Sequence, residues 1–406
     1  MTFPSSPPTA PEPSPAVPLP TERSCPFSPP YPLAEYRERE PIRRLRYPDG
    51  HEGWLVTSHK LAREILADGR FSARAELKRV PVARPGADPF IGQPALPGWF
   101  VDMDPPEHTR FRRLLAGQFT VRRTRELRPR IERLVEEHLD AMADTGPPTD
   151  LVENFALPIP SLVICELLGV PYADRVEFQH NSTVLFSLDV SAEEGAAAMD
   201  ALTAFLQDLI RHKRTRPTAD LLSRLAHESD LDDVELAGVG VLLLTAGHET
   251  VASMLGLGSY ALMSNPEQGA LMTDPATVDR AVEELLRYLT IFHFGVPRTP
   301  LTDAEIGGRL LRTGESVTIS LPAANRDPER FEDPDRLDLT RNAVAHLAFG
   351  YGVHQCIGQN LARMELRASY PALFRRFPGL RLAVPPEQVR LGGAGFYGVH
   401  RLPVTW

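Results

Sequence analysis

A single run, Phe349-Gly350-Tyr351-Gly352-Val353-His354-Gln355-Cys356-Ile357-Gly358, constrains this chain more than any other stretch of it. It places one cysteine in a glycine-punctuated loop, and an unbroken helical pattern from Gln359 to Phe374 starts directly behind the loop. Glycines at 350, 352 and 358 allow positive φ and leave backbone N–H groups uncovered by side chains. A helix N-terminus beside the sulfur adds positive potential. Both effects lower a thiol pKa and favour the thiolate, the form that binds a metal or attacks an electrophile. Phe349 and Ile357 supply apolar cover for such a sulfur. The ordinary alternative is a structural cysteine, because free Cys mostly behaves as a small inert hydrophobe. Zinc finds no ligand set: Cys25 and Cys165 are remote in sequence, and no Cys-x-x-Cys or His-x-x-x-His spacing occurs. A nucleophile needs a base, and His354, two residues away, is poorly placed to be one.

Other segments carry their own constraints. The stretch from about Val234 to Met263 is apolar on nearly every face, the pattern of a helix through the middle of a core. Inside it, Gly247 is costly to a helix and His248-Glu249-Thr250 interrupts with polarity; a kink with locally satisfied polar groups would explain both. Glu284 and Arg287, in Ala281–Tyr288, are three residues apart and can pair on one helix face. Their flanks are apolar, and a buried pair needs further partners. Asp104-Pro105-Pro106 makes a helix start, which puts His108 and Arg112 one turn apart on one face, where an ordinary solvated basic surface is also possible. Arg298 follows the apolar run Ile291-Phe292-His293-Phe294-Gly295-Val296-Pro297.

Together these segments resemble the cytochrome P450 family, in the family's order, from about residue 22 to Trp406. The spacing F-x-x-G-x-x-x-C-x-G resembles the haem-ligand loop, which implies that Cys356 is the axial iron ligand with Phe349 in its cover. Ala246-Gly247-His248-Glu249-Thr250 resembles the distal A-G-x-[DE]-T site. By that likeness Ala246 and Gly247 lie against the cofactor, and Glu249 and Thr250 are the acid–alcohol pair that relays protons to dioxygen. Glu284 and Arg287 take the place of E-x-x-R, and Arg341 is the residue that best fits the arginine closing it; the three are implied to be structural. His108, Arg112, Arg298 and His354 are implied partners of the haem propionates, a role suited to charge-assisted bonds.

The fold implied is mainly α, a triangular helical prism with small β-sheets at one edge and haem between the long central helix and the helix after the cysteine loop. Local pattern agrees, predicting helices at 57–68, 107–119, 123–144, 195–214, 231–264 and 277–289, and strands at 41–47, 52–57, 309–312, 316–320 and near the C-terminus. Length alone would allow two or three domains, but one site scattered from His108 to Cys356 argues for a single domain over 22–406. Residues 1–21 are rich in Pro, Ser and Thr and are expected to be a disordered arm, neither signal peptide nor anchor. The central apolar stretch contains Glu249 and several glycines and reads as core, not as a membrane span. Three scattered cysteines fit a reducing compartment, so a cytoplasmic protein is expected; the resemblance adds the expectation of a monomer.

The net charge of −9 hides a basic stretch from Arg110 to Arg133 holding nine arginines against Glu126 and Glu132. Nucleic-acid binding does not fit an otherwise acidic chain without interleaved aromatics. A solvated helix face is the plain reading; a docking face for an acidic electron donor is the sharper one. The resemblance implies haem b, dioxygen as co-substrate, and electrons from NAD(P)H through a ferredoxin and ferredoxin reductase. Family position implies a pocket lined by Trp99, Leu185, Phe186, Leu242, Leu243, Phe292, Phe294, Val296 and Phe396, apolar enough for a bulky hydrophobic ligand. The Pro-rich 81–99 stretch is long enough to be a mobile lid. The chain ends resemble a soluble bacterial branch of natural-product tailoring enzymes, so hydroxylation of a macrolide or polyketide comes first, epoxidation second, and steroid or xenobiotic oxidation is the alternative. A peroxide-driven enzyme would not need Glu249 and Thr250, and a non-catalytic haem-binding protein would tend to lose them.

Overall fold

The computed structural model describes residues 14–406 apart from 84–91, 172, 173, 175, 177–179, 182, 183, 185–189, 393 and 394. Ten of the described helices set the frame, with two short ones (Pro266–Leu271 and Leu321–Ala324) between them: α1 (Pro32–Arg39), α2 (His59–Ala67), α3 (Glu107–Ala116), α4 (Val121–Thr145), α5 (Pro158–Leu168), α6 (Ala192–Thr215), α7 (Leu221–Glu228), α8 (Asp233–Ser264), α9 (Val278–Leu289) and α10 (Gln359–Arg376). The predicted helices are all present, with ends displaced by a few residues.

The centre of the fold is α8. Asp232 caps it, accepting from the backbone N–H of Val234 at 2.9 Å and Glu235 at 2.8 Å, while the Glu235 carboxylate accepts from the Asp232 N–H at 3.2 Å. By length and composition α8 could cross a membrane, yet most of it is buried among α5, α6, α9 and α10. Gly247 has a packing reason: a Cβ there would stand 2.9 Å from Ile164 Cδ1, so the glycine lets α5 cross close to α8.

A five-stranded sheet lies beside this helical body, with β1 (Ile42–Arg46), β2 (Glu52–Val56), β3 (Phe71–Ser72), β4 (Val296–Pro300) and β5 (Val317–Ile319) in the order β1-β2-β5-β4-β3. Trp54 of β2 stands opposite Val317 in a parallel pair, and Arg298 of β4 opposite Val317 in an antiparallel one. The β4 strand carries the run from Val296 to Arg298 into the sheet, which the sequence pattern did not predict.

One expectation is corrected. Val17 bridges Leu45 of β1, and Leu19 is buried with Leu33, Leu45 and Leu55, so packed chain begins ahead of residue 22. Its apolar content is small, but the packing of Leu19 into that cluster and the Val17 bridge anchor it. As expected, α3 starts directly after Asp104-Pro105-Pro106; Pro106 occupies the cap position, and the Asp104 carboxylate accepts from the Ser72 hydroxyl at 2.6 Å and the Ala73 N–H at 2.8 Å.

Candidate active site

The cysteine loop is a turn closed on itself: the Cys356 N–H donates to the Phe349 carbonyl at 2.9 Å. Gly350 and Gly352 have φ of 69° and 74°, as expected, and a Cβ on Gly352 would meet the Leu66 carbonyl oxygen of α2 at 2.2 Å. Gly358 departs from expectation, with φ −79°. Its work is done by its N–H, which with that of Gln359 at the start of α10 bonds the Cys356 sulfur.

Cys356 is open to a water-sized probe although protein atoms surround it on all sides, so it faces an internal recess and not bulk solvent. Burial pushes the thiol pKa up; the Gly358 and Gln359 N–H groups and the Arg112 and Arg363 guanidiniums pull against it and lose. The expected depressed pKa is therefore corrected: desolvation outweighs the loop dipoles. Metal ligation overrides this, since a coordinated thiol is deprotonated outright.

A cluster of cationic groups gathers beside the sulfur. The His108 and His354 rings lie against each other, tilted by 44°, with centroids 4.1 Å apart. Arg112, Arg298 and Lys78 all act electrostatically on His354. Arg298 is 6% exposed and donates to the Pro297 carbonyl at 2.8 Å, with no carboxylate in bonding range among the described residues. The His108 Nδ1 is buried without a partner. Desolvation first, then neighbouring cations, hold His108 at a pKa of about 4 and His354 at about 2. Lys78, paired with Asp102, escaped the sequence reading because nothing local marks it.

This donor set fits a haem: one sulfur cradled by two N–H groups, and a partly unpaired cationic cluster matched to two carboxylates. Among the described residues no group of three His, Cys, Asp or Glu side chains could hold a bare metal ion.

On α8, residues 239–245 are all buried, yet Ala246 is exposed, which breaks the buried run at the position family likeness sets against the cofactor. The Thr250 hydroxyl donates to the Ala246 carbonyl at 2.7 Å. His248 is buried, bonds the Leu157 carbonyl, and is held by burial at a pKa of about 4, hence neutral near pH 7. Its Nδ1 lies 3.8 Å from Glu249 Oε1.

Glu284 and Arg287 are fully buried and joined by two bonds, Nε to Oε2 at 2.7 Å and Nη2 to Oε1 at 2.8 Å. Arg341 Nε adds a third to Glu284 Oε1 at 3.1 Å, as expected, and Arg287 Nη1 reaches the carbonyls of Asn325 and Pro334. Of the pocket residues, Leu242 and Leu243 are buried in α8, and Phe292 faces Phe396 at 5.4 Å between centroids. Val296 and Phe292 pack on the sheet-side core, Phe294 on the cluster around Leu19, and Trp99 on the main core. Leu185 and Phe186, and 84–91 of the Pro-rich stretch, lie outside the described residues.

The Cytochrome P450 family model matches residues 275–389, which include Glu284, Arg298, Arg341 and Cys356. Cytochrome P450-SU2 of Streptomyces griseolus is 47% identical over 400 residues, 98% of each chain. The crystal structure of CYP105P1 in complex with filipin I matches with a TM-score of 0.91 at 45% identity, covering 96% of this chain and 99% of that one. That of the mycinamicin VIII C21 methyl hydroxylase MycCI from Micromonospora griseorubida, bound to mycinamicin VIII, matches with a TM-score of 0.88 at 35% identity, covering 95% and 98%.

Proposed function

The chain belongs to the cytochrome P450 family and is a monooxygenase, and from that premise we propose that it hydroxylates a bulky macrolide or polyketide-type natural product, with Cys356 as the iron ligand of haem b. The observation that carries the site assignment is the cysteine cradled by the N–H groups of Gly358 and Gln359 with a cationic cluster beside it. The substrate class is supported by the apolar character of Leu242, Leu243, Phe292, Val296 and Phe396 at the positions that family likeness assigns to the pocket, and by the ligands bound in two similar structures, filipin I and mycinamicin VIII.

Bound there, the haem supplies dioxygen binding and transfer of one oxygen atom. The protein's residues do the rest. Arg112 and Arg298 would hold the two propionates as cations and His108 and His354 as neutral hydrogen-bond donors, and the propionates would relieve the crowding of the guanidiniums. The Thr250 hydroxyl hands a proton toward the recess beside Ala246, and Glu249, whose side chain is 15% exposed, restores it from solvent. The aromatic wall from Phe292 to Phe396 orients the substrate and excludes water. Electrons arrive from NAD(P)H through a ferredoxin reductase and a ferredoxin docked on the arginine-rich face, in the cytoplasm.

Two measurements test this. Cys356→Ala abolishes the thiolate-type band of the reduced carbon-monoxide complex; an unchanged spectrum would refute the ligand assignment. Spin-state titration with a panel of macrolides, other polyketides and steroids gives saturable low-to-high-spin shifts with the macrolides or polyketides, and a response to steroids alone would overturn the substrate class.

A further inference from the structure

The geometry points to Arg363, held in place by Glu283, as the charge that sets how readily the iron bound to Cys356 accepts an electron. This rests on Cys356 being the iron ligand. The Arg363 guanidinium lies over the Phe349 ring, its Cζ 4.5 Å from the centroid, and Phe349 belongs to the loop turn closed by the Cys356 N–H. From α9, Glu283 takes Arg363 Nε at 2.7 Å on one oxygen and Nη2 at 2.9 Å on the other. Gln359 Oε1, one turn back on α10, takes Nη1 at 2.9 Å, so Arg363 is fixed from two directions. The groups facing Glu283 also include His346 Nε2 at 3.1 Å and Arg367 Nη2 at 3.5 Å, the latter paired with Asp279.

Arg363 and Arg112 are the two side-chain cations that favour a negative sulfur. Both members of the Glu283–Arg363 pair are less than one-fifth exposed, so solvent screens them weakly. Reduction adds one electron to the iron–sulfur unit; a cation nearby favours that step and an anion opposes it. The pair therefore pulls in opposite senses, and Glu283 tempers the effect of the arginine it positions. A purely structural clamp would behave differently, because loosening the loop from either side disturbs the sulfur in the same way.

The test is spectroelectrochemical titration of the haem-loaded enzyme. Arg363→Met lowers the midpoint potential, Glu283→Gln raises it with Arg363 still held by Gln359, and the double variant falls between them. Arg363→Lys, which keeps the charge, stays near wild type. Shifts of the same sign in Arg363→Met and Glu283→Gln, no shift in either, or Arg363→Lys falling as far as Arg363→Met would each overturn the inference. The reduced carbon-monoxide spectrum separates the premise: a wild type without the thiolate band removes the ligand assignment itself, whereas an intact band with same-sign shifts removes this inference alone.

Discussion

The Thr250 hydroxyl is tied to the Ala246 carbonyl at 2.7 Å, and Ala246 is the exposed residue that ends the buried run 239–245 of α8. The alcohol is thus held where a proton is needed, one turn along from the bare spot. General acid–base groups contribute about 10²–10⁴-fold. Thr250→Ala should keep the reduced carbon-monoxide band but lower product formed per NAD(P)H by at least about tenfold, with hydrogen peroxide making up the difference. Thr250→Ser, which keeps the hydroxyl, should recover most of the coupling. Equal coupling in Thr250→Ala and wild type would remove the relay.

Glu284 and Arg287 make a different prediction, because nothing about them points into the recess. Both are fully buried, and Glu284 accepts from Arg287, Arg341 and the Asp338 N–H. Glu284→Ala leaves a buried guanidinium without its counter-ion, a loss of about 3–5 kcal/mol. Soluble haem-loaded protein should fall sharply and the thermal midpoint with it. Arg341→Ala should cost less, about 1–3 kcal/mol, since Arg287 still satisfies both Glu284 oxygens. A thermal midpoint for Glu284→Ala within a degree or two of wild type would contradict the burial argument.

How much of this was readable beforehand follows from contact range. Glu284 to Arg287 is local, and Gly350, Gly352 and the start of α10 sit beside Cys356 in sequence, so pattern sufficed for them. The arginine closing the triad was found only through family likeness, since Arg341 is 57 residues from Glu284. Glu283 was passed over beside its neighbour Glu284, although it clamps Arg363, 80 residues on, to α9. The thiol pKa was misjudged for a related reason: dipoles of the loop are local and visible, whereas desolvation depends on every element packed around the recess.

His248 should govern part of the acid sensitivity. Its pKa is lowered from 6.5 to about 4 when folded, chiefly by burial. A histidine with a depressed folded pKa favours folding fully above the unfolded value, and that contribution is lost as pH falls from about 6.5 to about 4. The loss amounts to about 3 kcal/mol at its largest. His248→Gln should therefore have a flatter stability–pH curve over this window than wild type, measured by guanidinium unfolding at several pH values. Parallel curves would mean that His248 titrates normally in the folded protein.

The arginine-rich face predicts a salt effect, once its internal pairs are discounted. Arg110 is taken by Glu235 and Asp230, Arg123 by Glu126, Arg128 by Glu132 and Arg130 by Glu166. That leaves Arg113, Arg122, Arg125 and Arg133 exposed and without an ion-pair partner among the described residues. Arg122, Arg125 and Arg133 recur at helical spacing on one side of α4, and α4 packs along α10, the helix that starts at the cysteine loop. A patch of this kind steers an acidic partner through an unscreened field, and the Debye length contracts from about 30 Å at 0.01 M salt to about 10 Å at 0.1 M. Turnover limited by donor concentration should fall as salt rises over that range, and Arg122→Glu with Arg125→Glu should raise the KM for the ferredoxin while leaving substrate affinity unchanged. A donor-limited rate indifferent to both salt and charge reversal would place the donor on another face.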